Sequence, residues 1–199
     1  MTQKQNVEAT QQDAADNDRV LRRLDRAAGR GDLVRVHRST RSADRIDGFV
    51  VGTTPAWTLL APCTDVQLDG WAAVRTPGIT KVCRRGDGTS LTARALRRRG
   101  QWPVRMPAHA VPLDGLPALV EAACRDFGLI SLHAERHAPD ACWIGAVTGL
   151  RPRSLRLREV DPGARWSTDA TKFRFKDITR VGFGGRYEQT LREFAGPCR

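Results

Sequence analysis

The second half of this chain rewrites its first. LVRVH from Leu33, DGFVVG from Asp47 and ITKV from Ile79 return in the same order as LISLH from Leu129, CWIGAV from Cys142 and ITRV from Ile178. The offsets are 96 residues from Leu33 to Leu129, 97 from Gly48 to Gly145 and 99 from Ile79 to Ile178, so any insertions between blocks are short. Self-similarity at a fixed period constrains architecture before chemistry and predicts two small similar units within the 199 residues. A unit of that size alone is marginal in buried area, so the halves are expected to pack together or to oligomerise.

Residues 1–17 are rich in Gln, Asp, Asn and Ala and predict a disordered tail. From Asp18 a helix is expected, with Val20, Leu21, Leu24, Ala27 and Ala28 as its apolar stripe and Gly29 and Gly31 at its end. The first unit, 18–85, continues with five short runs: LVRVHR, RIDGFVVG, WTLLAPC, DGWAAVR and ITKVCRR. Their spacing and turn residues predict a small antiparallel sheet bent into a barrel. Residues 86–114 read as a basic linker holding a short helix, LTARALRRRG, and an irregular Pro-containing run. The second unit, 115–199, repeats the plan. It has a helix from Leu116 to Phe127, then GLISLHAE, CWIGAV, SLRLREV, TKFRF and ITRVGF, and a closing helix with Tyr187, Leu191 and Phe194 on one side.

A helix followed by five short, strongly bent strands, with the hydrophobic and glycine spacing of DGFVVG and CWIGAV, resembles the Sm-like small barrel, here in tandem over about residues 18–85 and 115–185. The chain also resembles uncharacterised bacterial proteins whose halves end in an ITxV strand, with DITRV followed by an FGGRY-type segment. The resemblance implies a mostly β fold of two five-stranded barrels, each preceded by a helix, edge-to-edge assembly and RNA binding. The chain departs from the RNA-binding Sm pattern. The turns GTTPAWT and TGLRPRS lack its Asp and Asn, and RTPGI and FKDI lack its Arg-Gly pair, so no uridine pocket carries over to any residue.

Charge gives the second constraint. Thirty-three Lys and Arg against 22 Asp and Glu make a net +11, which favours polyanionic partners. The five cysteines form no CxxC pair and predict reduced, buried thiols in a cytoplasmic protein. The N-terminus is polar and no apolar run approaches a membrane span, so no membrane association is expected.

Few residues suggest catalysis. His37 and His133 occupy the same place in the repeat and read either as a duplicated site or as structural histidines at strand ends. His133, Glu135, His137 and Cys142 hold the residue types of a zinc site without a helical i, i+4 face or a second ligand pair. GxSxG, a P-loop and GxGxxG are absent, and no catalytic residue, metal or cofactor is assigned. The basic stretches are the candidates: Arg97, Arg98 and Arg99 in the linker, with Trp102 as an accessible ring beside them; Arg151, Arg153, Arg156 and Arg158; and Lys172, Arg174 and Lys176, which alternate with Phe173 and Phe175. Such rows read either as a phosphate track or as solubilising charge on exposed strands. The expected function is a non-catalytic nucleic-acid-binding module that prefers RNA to DNA. The alternative is an assembly module whose open barrel edges bind an acidic protein or a second copy.

Overall fold

The structure is a computed structural model that describes residues 2–40, 45–107 and 109–198, with side chains described from Asp16 onward. Helix α1 (Thr2–Arg30) precedes strands β1 (Leu33–Arg38), β2 (Ile46–Thr53), β3 (Trp57–Thr64), β4 (Gln67–Leu68), β5 (Trp71–Arg75) and β6 (Ile79–Gly86). After α2 (Leu91–Arg98) and α3 (Leu116–Phe127) come β7 (Ile130–His133), β8 (Trp143–Arg151), β9 (Ser154–Val160), β10 (Trp166–Arg174), β11 (Arg180–Phe183) and α4 (Arg186–Ala195). Helix α1 begins at Thr2, so it takes in the residues for which a disordered tail was expected. The Ala, Gln and Glu of that stretch are good helix formers. The chain leaves α1 through Gly31 at φ 63°, a left-handed conformation that glycine adopts at no steric cost.

The fold is mostly β, as expected; where the sequence suggested two tandem five-stranded small barrels, the strands form one open antiparallel sheet that does not close. Its strand order is β10-β9-β8-β7-β11-β5-β3-β2-β1-β6, with β4 paired to β3. With the two-residue β4 left aside, each half places five strands in the same order, the fifth beside the first and then the second, third and fourth. The halves meet where β5 pairs with β11: Val74 opposes Arg180, Ala73 opposes Val181, Ala72 opposes Gly182 and Trp71 opposes Phe183. The physical reason is that a half standing alone would leave the apolar edges of β5 and β11 unpaired. The seam instead buries Ala72, Ala73, Val74, Val181 and Phe183 almost completely.

The repeat is also written into the backbone. A Cβ at Gly48 would stand 2.4 Å from the Ala61 carbonyl oxygen, and one at Gly145 would stand 2.1 Å from that of Arg158. Both second strands shift register just beyond, between Val50 and Gly52 and between Val147 and Gly149. Glycine lets β2 and β8 cross their partners closely, and the bulge bends each strand further.

The largest core is shared between the halves. Trp57, Leu59 and Ala73 pack with Leu119, Val120 and Ala123 of α3 and with Ile130, Leu132, Leu155, Leu157, Phe173 and Val181. Val111 and Leu113 belong to the same cluster, so the end of the 86–114 stretch is part of the core. A second cluster sits under α1, through Val20, Leu24 and Ala27 against Val34, Val36, Val50 and Leu60. A third lies on the other face of the first half, where Leu96 of α2 packs on Phe49, Ala61 and Cys63. No helix among the described residues is long and apolar enough to cross a membrane.

Candidate nucleic-acid interface

Along β9, Leu155 and Leu157 point into the shared core, so Arg156 and Arg158 point to the opposite face. Strand β10 pairs with it antiparallel, setting Lys172 opposite Arg156, Ala170 opposite Arg158 and Arg174 opposite Ser154. Across the hairpin, Arg151 of β8 opposes Ser154. Directly opposed residues share a face, so Arg151, Arg156, Arg158, Lys172 and Arg174 form one cationic surface on β8-β9-β10. Along a strand its members lie about 7 Å apart, and across strands about 5 Å. Arg153 is exposed at the tip of the β8-β9 turn, and its carbonyl accepts the Phe175 N–H at 3.0 Å, which ties that turn to the one after β10.

The structure changes the reading of Lys176 and of Trp102. Phe175–Asp177 is a 3-10 turn, so Lys176 stands at the rim of the face and does not continue the β10 row. Arg97, Arg98 and Arg99 are exposed but lie at the end of α2 on the first half, apart from the β8-β10 face. Trp102 is no open stacking platform. Its ring meets Phe49 edge-on at 5.5 Å, it packs against the third core cluster, and a Cβ on Gly31 would stand 3.0 Å from it. The Arg97 guanidinium lies 5.7 Å from that ring's centroid, and Arg99 donates to the Val66 carbonyl.

The acids near the cationic face are engaged. Asp177 accepts from Arg174 Nε at 3.0 Å and lies 3.3 Å from His137 Nε2. Thr171 donates to Glu159, and Arg158 Nε donates to the Ser167 carbonyl at 2.9 Å. Of the cations on the face, Arg151, Arg156, Lys172 and Arg174 are exposed and Arg158 is half-buried. They sit on ordered strands backed by a buried core, so little rearrangement is needed to present them together.

The two histidines occupy matched places with unmatched surroundings. His37 opposes Lys81 and His133 opposes Arg180. Cys83 Sγ lies 3.9 Å from His37 Nε2, and burial, followed by the charges of Arg45 and Lys81, holds the His37 imidazole below its ordinary pKa. In the second half Gly182 stands where the first has Cys83, so the arrangement is not duplicated. The residues of the HAERHAPDAC run are dispersed. Glu135 is buried against Arg38 and Thr179, His137 faces Asp177, and no group of three metal-ligating side chains occurs among the described residues. Among the five thiols, Cys63 is buried, Cys83, Cys124 and Cys198 are half-buried, with Cys124 pushed up to about 11 by burial, and Cys142 is exposed, so the expectation of buried thiols holds only in part.

Sequence reading found every cation of the face but divided them into two unrelated runs. Register was the missing information, because the direct opposition of Arg156 and Lys172 depends on a hairpin pairing that no local pattern specifies. Comparison with protein-family models, with curated proteins and with solved structures finds no match to this chain.

Proposed function

We propose that this protein is a non-catalytic nucleic-acid-binding module, that it takes RNA in preference to DNA, and that it acts through phosphate contacts on the β8-β9-β10 face. The observation that carries the reading is the gathering of Arg151, Arg156, Arg158, Lys172 and Arg174 onto one side of three paired strands, with Arg153 and Lys176 at its rim. Guanidinium and ammonium groups so placed neutralise backbone phosphates without reading base edges. No exposed aromatic ring lies among them, so binding is sequence-tolerant. The preference for RNA rests on the Sm-like resemblance: each half is a helix leading into strands that, the short β4 aside, follow one order.

The test is fluorescence anisotropy of a labelled 12-nucleotide RNA titrated with the protein over a range of KCl concentrations. Binding is expected to weaken steeply with salt, with a log–log slope of about −0.7 per single-strand phosphate neutralised. Arg156→Gln, Lys172→Gln and Arg174→Gln together are expected to weaken binding at least tenfold and to flatten that slope. Undetectable or salt-insensitive binding would overturn the reading. Poly-glutamate that competes while RNA does not bind would transfer the face to an acidic protein partner.

A further inference from the structure

A second cationic feature lies on the first half, in a groove of about 210 Å³ between α1 and the edge strand β6. Arg23, Arg26 and Arg30 follow one another at three- and four-residue steps along α1, which places them on one side of the helix. Across the groove, Arg84 of β6 opposes Val34 and so lies on the face that α1 covers. Register shifts between Leu33 and Val34, which oppose Gly86 and Arg84, so Arg85 is an inserted residue and β6 bends there. Ala27, Val34 and Val82 supply the apolar part of the lining.

Two carboxylates hold Arg84 in place. The side chain of Asp32 is 7% exposed and lies 3.2 Å from Arg84 Nε, and Asp87 lies 2.8 Å from Arg84 Nη2. Among the described residues no carboxylate pairs with Arg23, Arg26 or Arg30. Arg30 alone would be explained by the negative end of the helix, but that attraction fades beyond the last turn and does not account for Arg23 or Arg26. Three forked donors around one groove, beside a fourth whose charge Asp87 and the groove-lining Asp32 offset, match the oxygens of a phosphate group, which planar guanidinium binds in bidentate fashion.

We infer that the α1-β6 groove is a phosphate-binding site in its own right, separate from the β8-β10 face and independent of the reading proposed for that face. The phosphate can belong to a nucleic-acid backbone or to a free phosphate compound, and the chemistry of recognition is the same.

The test is an NMR titration of the arginine Nε–Hε signals of the full chain with inorganic pyrophosphate, repeated with a 12-nucleotide RNA. Pyrophosphate is expected to give saturable shifts at Arg23, Arg26, Arg30 and Arg84. Arg23→Gln, Arg26→Gln and Arg30→Gln together should weaken it at least tenfold, and the three corresponding Lys substitutions should weaken it less, because they keep charge but lose the fork. All three side chains are exposed and Gln is a good helix former, so the fold is expected to persist, with circular dichroism as the check. RNA that displaces pyrophosphate from these signals identifies a nucleic-acid backbone as the ligand, whereas pyrophosphate shifts without RNA shifts identify a free phosphate compound. Absence of saturable shifts, or full affinity in the Gln variant, overturns the inference. The Arg156, Lys172 and Arg174 substitutions leave this groove intact, so failure here and failure of the β8-β10 face are read separately.

Discussion

The seam between the halves and the two free ends of the sheet are built from the same kinds of strand and carry opposite residues. The 99-residue offset sets β11 against β6, and the 3-10 turns that follow Arg75 and Arg174 set β5 against β10. On that alignment, Ala72 and Ala73 of the seam correspond to Thr171 and Lys172 at one free edge, and Phe183 corresponds to Arg84 at the other. The seam residues are buried, whereas Thr171, Lys172 and Arg84 are exposed. Strand type alone therefore does not decide whether an edge pairs. Small and apolar side chains let β5 and β11 close on each other, and charge on β6 and β10 discourages a second copy from repeating the junction.

The seam also has buried polar fasteners. Arg38 and Glu135, with side chains 3% and 4% exposed, pair at 2.6 Å across the halves, and Thr179 donates to the same carboxylate. Arg75 Nε donates to the Ile178 carbonyl at 2.7 Å, while its guanidinium lies 5.0 Å from the Trp57 ring centroid. Its counterpart Arg174 is exposed and bonds Asp177, three residues on, at 3.0 Å. A buried ion pair is costly to assemble and more costly to break, because removal of one partner strands the other charge out of water.

The sharpest way to break this contrast is to write a free-edge residue into the seam. Ala73→Lys places an unpaired ammonium at a fully buried position, and a loss of more than about 4 kcal/mol is expected in urea unfolding. Next in size, Glu135→Ala should cost about 3–5 kcal/mol, while Arg38→Met combined with Glu135→Leu should recover most of it. A recovery that fails would mean that the pair itself, and not its isolation, stabilises the seam.

The reverse exchange sharpens the comparison without threatening the fold. Lys172→Ala with Arg84→Phe makes the free edges resemble the seam; the Lys172 change should cost less than about 1 kcal/mol because that position is exposed, and the Arg84 change more, because it leaves the nearly buried Asp32 without its ion-pair partner. Light scattering on a sizing column should then show concentration-dependent association exceeding that of the parent chain. Equal association in both would mean that charge is not what guards the edges.

The smallest effect expected concerns a pair present in one half only. Asp47 accepts two hydrogen bonds from Arg35, at 2.7 and 2.6 Å, and this guanidinium holds its carboxyl below the ordinary value of 3.8. A carboxyl lowered by folding contributes stability that is present above pH 3.8 and fades as pH falls through the folded value. Asp47→Asn should therefore flatten the acid limb of stability measured by urea midpoints below pH 4. The corresponding residue in the second half is Ile144, which has no titration to lose.

Much of the strand plan was legible because β-branched runs and turn glycines are local signals. Val34 and Val36 alternate with Arg35 and His37, and alternation suffices to name the buried face. Barrel closure was not legible, since whether β5 meets a strand of its own half or of the other depends on a contact about a hundred residues away. Trp102 misled for a related reason. Its cationic sequence neighbours suggested access, while Phe49 and Gly31, distant in sequence, cover its ring.

By itself the sequence determined the duplication, the glycines at which β2 and β8 cross their partners, and the excess of arginine, because each is a property of residue type and spacing. Only the tertiary structure decided that the halves share one sheet and that separate basic runs become one face and one groove. Those outcomes rest on strand register and on which apolar edges bury each other, and both are set by contacts between segments far apart in the chain.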